Sequence, residues 1–110
     1  MRRRHTSYGP YIRGPRWRTL RRAWAQHPDT PKACVVCGAR RYQLHHRTYQ
    51  HLGDERLADL VPLCGAHHEA LHFAYDLKAT DLDLEAFTNA WVSVMRRAHP
   101  NPRRPPWPWP

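Results

Sequence analysis

The sequence predicts a small α+β domain: an N-terminal helix, two short strands around a loop, a helix opening directly after the second strand, and a C-terminal helix. Three observations predict it. Apolar residues recur at helical spacing in residues 16–27 and 80–98. Residues 41–46 and 59–63 are brief strand-like runs on either side of a loop that carries Gly53. Cys34 with Cys37, and Cys64 with His67, are pairs with a two-residue gap, the spacing that aims two ligands at one ion.

Each element has a local reason. In residues 16–27, Trp17, Leu20 and Trp24 form an apolar stripe, with Arg18, Arg21 and Arg22 mainly outside it. Pro28 and Pro31 end the helix, because proline lacks the N–H that a helix needs. Residues 34–47 read as a knuckle feeding the first strand, residues 48–59 as a loop, and residues 59–63 as the second strand. Cys64 then opens a helix to about Leu77. In residues 80–98, Thr80 or Asp81 can cap the helix. Asp83 and Glu85 in the first turn and Arg96 and Arg97 in the last match the helix dipole. Leu84, Phe87, Trp91, Val94, Met95 and Ala98 form the expected buried stripe.

At 110 residues the chain is one small domain with tails. Such a domain buries only about 60–70% of its unfolded surface, so a metal or disulfide commonly supplements its core. Three cysteines cannot all pair. The N-terminal arginines are followed by no apolar signal-peptide region, and no run approaches the roughly 20 apolar residues of a membrane span. The expectation is therefore a cytoplasmic protein, with no membrane association and with reduced cysteines free for metal. The expected organisation is a flexible basic arm (1–16), one domain (17–99) and a Pro/Trp-rich tail (100–110) whose default conformation is polyproline II and which could dock on a protein partner. The sequence sets no oligomeric state.

The net charge is +9, and Lys32 and Lys78 are the only lysines among eighteen basic residues. Residues 1–28 carry eight arginines and no acid, while all nine carboxylates lie between Asp29 and Glu85. Guanidinium groups match phosphate geometry, so nucleic acid is the expected partner. Arg13, Arg16, Arg18, Arg21, Arg22 and Arg47 are the expected backbone contacts.

The Cys/His residues divide into two sets. Cys34, Cys37, Cys64 and His67 would close a tetrahedral Cys3His site, with His68 the competitor for the fourth position; a closed site is structural because substrate has no place on the ion. His45 and His46 are adjacent on a strand and point to opposite faces, whereas His68 and His72 are four apart on a helix and share one. His45 and His68 could chelate a divalent ion with positions open for water and phosphate, and His46, with an ordinary pKa of about 6.5, could take a proton from the attacking water.

Cys34-x2-Cys37, Leu44-His45-His46, Asp59-Leu60-Val61-Pro62-Leu63-Cys64 and His67-His68-x3-His72 closely resemble the HNH endonuclease family, and His45-His46-Arg47-Thr48-Tyr49 followed by Leu52-Gly53-Asp54-Glu55 is similar to its phage and bacterial branch. The resemblance covers residues 32–75. It implies a ββα-metal core with a structural zinc knuckle, flanked by the two other helices, and a bacterial or phage-infected cell as the setting. The activity it implies is metal-dependent hydrolysis of DNA phosphodiesters, with a catalytic magnesium, manganese, nickel or zinc ion beside the structural zinc. His46 matches the general base, His45 the metal ligand before it, and His68 the last metal-binding residue. His72 matches a histidine that some members use as ligand or phosphate contact. Asp59 stands where the family's asparagine ties the loop before the second strand, and Tyr49 and Glu55 brace that loop, although Glu55 could instead approach the metal. Two departures are Asp59 for asparagine, which removes a donor, and His67 for the usual fourth cysteine. The competing reading is a non-catalytic zinc module that binds nucleic acid.

Overall fold

A computed structural model describes residue 11, residues 13–77 and residues 82–107. Most of the expected basic arm, the capping candidates Thr80 and Asp81, and tail residues 108–110 lie outside the described residues.

Helix α1 (Pro15–Gln26) begins with the residue best suited to a first helical position and buries Trp17, Leu20 and Trp24, the stripe read from the sequence. The chain then doubles back: Trp24 Nε1 donates to Pro31 O at 2.9 Å and Thr30 Oγ1 to Trp24 O at 2.6 Å. Strand β1 (Gln43–His46) pairs antiparallel with β2 (Leu60–Leu63), His45 opposite Val61 and His46 opposite Leu60. Both are shorter than predicted. Cys64 leaves the sheet at once, so Arg41 and Tyr42 have no strand to pair with, and Asp59 belongs to a 3-10 turn, Leu57–Asp59. Pro62 is accommodated because its backbone edge faces away from β1. Its carbonyl accepts instead from Val35 N at 3.1 Å, so no ladder bond is lost.

Helix α2 (Gly65–Leu77) follows without a linker, and α3 (Leu84–Ala98) closes the domain. Asp83 is the α3 cap rather than a first-turn acid, its carboxylate accepting from Ala86 N at 2.9 Å. The α3 stripe also differs from expectation. Leu84, Thr88 and Val92 are buried, with Phe87, Trp91 and Met95 partly so, whereas Val94 is 52% exposed and Ala98 is exposed. Val94 stands two residues, hence about 200°, around the helix from Val92.

The two-stranded sheet is covered on both faces, which fits its nearly continuous burial. Leu44 and Leu60 pack under Trp17, Leu20 and Trp24 of α1. Val61 and Leu63 pack with Val35, Val36, Leu71 of α2 and Val92 of α3. The period-two alternation of β1 therefore sends His45 and His46 into different environments. The tail lies on the knuckle: Arg96 Nη1 bridges Val35 O (2.6 Å) and Pro105 O (2.9 Å), Asn101 Nδ2 donates to Cys37 O at 2.9 Å, and Trp107 joins the α2–α3 core. Among the described residues no helix is long and apolar enough to cross a membrane.

Candidate metal centres

Helix phase sorts the α2 histidines. Cys64 stands just before the helix and His68 N donates to its carbonyl at 2.8 Å. His67, three residues on, turns back toward the knuckle. His68 and His72 share the next face, toward β1, and Leu71 fills the core beside them.

Cys34, Cys37, Cys64 and His67 present their ligand atoms within 4.8 Å of one another. Cys37 Sγ lies 3.9 Å from Cys64 Sγ, and His67 Nδ1 lies 3.7 Å from Cys34 Sγ and 3.3 Å from Cys64 Sγ. A tetrahedral zinc, with bonds near 2.3 Å to sulfur and 2.0–2.1 Å to nitrogen, would separate its ligands by about 3.6–3.8 Å. The four residues can hold a metal ion, and all three cysteines are free thiols. His67, and not His68, is the histidine that the fold groups with the three cysteines. Burial and the neighbouring Cys34 push the Cys37 thiol up to about 11. Cys34 is also penalised by burial, but backbone N–H donors of Cys64, Cys37 and Val36 outweigh this and lower it. Such donors stabilise thiolate.

His45, His68 and His72 form a second group with ligand atoms within 4.8 Å. The Nε2 atoms of His68 and His72 are 3.1 Å apart, near the roughly 3.3 Å expected for two imidazoles on one tetrahedral ion. His68 Nδ1 donates to Gln43 Oε1, which leaves its Nε2 lone pair facing the group. Thr88 Oγ1 meets His45 Nε2 at 3.2 Å and fixes the ring. Burial lowers the pKa of all three, His68 to about 4 with further help from His72 and His46. They are therefore neutral at pH 7, the form that binds metal. His72 is a full member of this group. Gln43 and Thr88 escape a reading of the sequence, although a period-two step back from His45 and a hydroxyl inside the α3 stripe are visible signals.

His46 lies on the other face. Its side chain is wholly buried, its Nε2 is 2.8 Å from Glu55 Oε2, and its ring stacks on Trp17 (5.0 Å between centroids) and Tyr49 (5.2 Å). The expected placement of His46 beside a metal-bound substrate, with an ordinary pKa, is not what the fold provides. Burial depresses its pKa more than Glu55 raises it. Glu55 also accepts from Tyr11 Oη at 2.6 Å and from Gly53 N at 3.2 Å, so it braces the loop through His46 and the N-terminal segment together.

Asp59 is buried and ties the loop, as the sequence leads one to expect. Its Oδ2 accepts from Arg56 N and His51 Nδ1, both at 3.0 Å, and its carbonyl accepts from Arg47 N at 2.7 Å. Arg47, expected at the phosphate backbone, is instead turned inward. It is 4% exposed and spends its guanidinium on Ala58 O (2.7 Å), Glu85 (3.0 Å) and Asn89 (3.2 Å), so it is a structural tie and not a surface phosphate contact. Arg13, Arg16, Arg18, Arg21 and Arg22 are exposed on and before α1. Arg16 makes one long, exposed ion pair, 3.9 Å to Asp54.

Comparisons with protein-family models, curated proteins and solved structures yield no match, so the two centres rest on their own geometry.

Proposed function

We propose that this protein is a metal-dependent endonuclease of the HNH type that hydrolyses DNA phosphodiesters. The observation that carries the proposal is the His45–His68–His72 group: three neutral imidazoles, two oriented by Gln43 and Thr88, and no fourth protein ligand among the described residues. That is the donor count of a catalytic centre, whereas Cys34, Cys37, Cys64 and His67 have that of a structural zinc. His45, His68 and His72 would hold a divalent ion, which would supply charge stabilisation to phosphate and acidify a bound water. The strand–strand–helix order of β1, β2 and α2, with the knuckle packed on it, supports a ββα-metal core. The exposed arginines of α1 supply sequence-independent hold on the phosphate backbone.

In this reading His46 accepts the proton of the attacking water and Glu55 fixes its ring. Because its ring is buried between Trp17 of α1 and Tyr49 of the loop, that role requires both contacts to open before water reaches it. The complete burial of His46 favours a second reading, a zinc-containing module that binds nucleic acid without cutting it.

Plasmid nicking across a panel of magnesium, manganese, nickel and zinc separates the two. The nuclease reading expects divalent-dependent nicking by the wild type and its loss in His68→Ala and in His46→Gln with zinc content intact. Absence of nicking with every metal, alongside retained DNA binding, would establish the second reading. Nicking that survives in His46→Gln would assign the proton transfer elsewhere.

A further inference from the structure

All nine carboxylates lie between Asp29 and Glu85, and within that interval residues 30–53 have none; residues 86–110 have none either. The fold brings these two acid-free segments together. The knuckle and the following residues form one wall of an open groove of about 790 Å³, and the segment after α3 forms the other. Lys32 and Arg40 stand on the first wall, Arg103 and Asn101 on the second, and among the described residues no carboxylate lines it.

The close approach of the walls depends on Gly38. Its φ of +79° is a left-handed conformation, and a Cβ there would lie 2.9 Å from Arg103 C and 3.0 Å from Arg103 O. Asn101, donating to Cys37 O, clamps the second wall in place. Arg40 and Arg103 are exposed, and no hydrogen bond or ion pair occupies their guanidinium groups among the described residues. Lys32 differs, since its ammonium donates to His27 O, Thr30 O and Thr30 Oγ1. Neutralisation of the knuckle does not use up this charge. Three thiolates with a divalent ion leave one negative charge, against three positive charges on the groove, a surplus of two.

We infer that this groove is a second nucleic-acid docking surface, in which Arg40 and Arg103 contact backbone phosphates from opposite walls. It is separate from α1, none of whose residues lines it. The inference rests on the nucleic-acid partner of the proposed function but not on cleavage. Guanidinium groups that are exposed, unpaired among the described residues and lining one groove suit a polyanionic strand.

The test is the salt dependence of binding to a short fluorescein-labelled DNA duplex, read by anisotropy with no divalent ion added. Each phosphate that the protein neutralises adds about 0.9 to the magnitude of the slope of log K against log salt. Arg40→Glu with Arg103→Glu is expected to lower that magnitude by about 1.8 or more, with zinc content and helicity unchanged. Arg97→Glu, an exposed α3 arginine outside the groove, serves as the bulk-charge control and should change it far less. An unchanged slope in the double variant overturns the inference, as does an equal loss in Arg97→Glu. Failure of the wild type to bind the duplex sinks both this inference and the nucleic-acid reading. Binding without nicking leaves the groove standing and removes the nuclease.

Discussion

His46 Nε2 lies 2.8 Å from Glu55 Oε2, with both side chains shielded from solvent, while His45, the preceding residue, belongs to a different centre. The pair is part of the core under α1. His46→Ala should therefore destabilise the domain by about 2–4 kcal/mol, combining a cavity beside Trp17 and Tyr49 with a buried carboxylate stripped of a partner. Urea unfolding measures it. A loss below about 0.5 kcal/mol would show that the ring carries no packing role. For this reason His46→Gln, which keeps volume and a donor, is the sounder probe of proton transfer.

Cys64→Ser should remove the knuckle metal and with it the fold. Structural zinc contributes on the order of 10 kcal/mol of apparent binding energy, comparable with the ~5–15 kcal/mol stability of a whole domain. Metal content by atomic absorption and far-UV circular dichroism report the two losses together. A folded, metal-loaded Cys64→Ser protein would contradict the assignment.

Metal loading of the knuckle should release protons at pH 7, because the Cys37 thiol is held up at about 11 and must be deprotonated to bind. Calorimetric titration of zinc in two buffers of different ionisation enthalpy counts them. Equal apparent enthalpies in the two buffers would mean that the thiols are already ionised.

His68 gives the metal-free protein an acid sensitivity. Its folded pKa, about 4, lies below the unfolded value of 6.5, so between these values the unfolded chain binds the extra proton. Stability from this residue is present above pH 6.5 and is lost as pH falls toward 4. His68→Gln should flatten that part of the profile when denaturant midpoints are compared across pH; an identical profile would refute the shift.

Arg47→Ala should cost about 1–3 kcal/mol, mainly through removal of the bond to Ala58 O and of the buried stem, since Glu85 is half exposed and its ion pair is screened. It should leave the salt slope of DNA binding unchanged. A slope reduced by about 0.9 would return Arg47 to the phosphate-contacting set.

The sequence by itself determined those features that follow from spacing along one element. The α1 stripe is local because helical period alone puts Trp17, Leu20 and Trp24 on one side. Cys34–Cys37 and Cys64–His67 are legible because two residues between ligands is a turn's own geometry, and His68 with His72 because four residues is one helical turn. The opposite facing of His45 and His46 follows from the pleat.

Only the tertiary structure decided what each of those faces meets. Strand alternation sends His46 away from His45, but α1 and the β1–β2 loop are what seal it in with Glu55. Arginine is a phosphate ligand at the surface and a tie when buried, and α3 is what buries Arg47. The α3 face that turns inward, with Thr88 in place of Val94, depends on where α2 and the knuckle lie against it. Charge along the chain marks residues 30–53 and 86–110 as free of acid. Their meeting across Gly38 is a long-range contact that no periodicity encodes, because it depends on how the chain returns to the knuckle after α3.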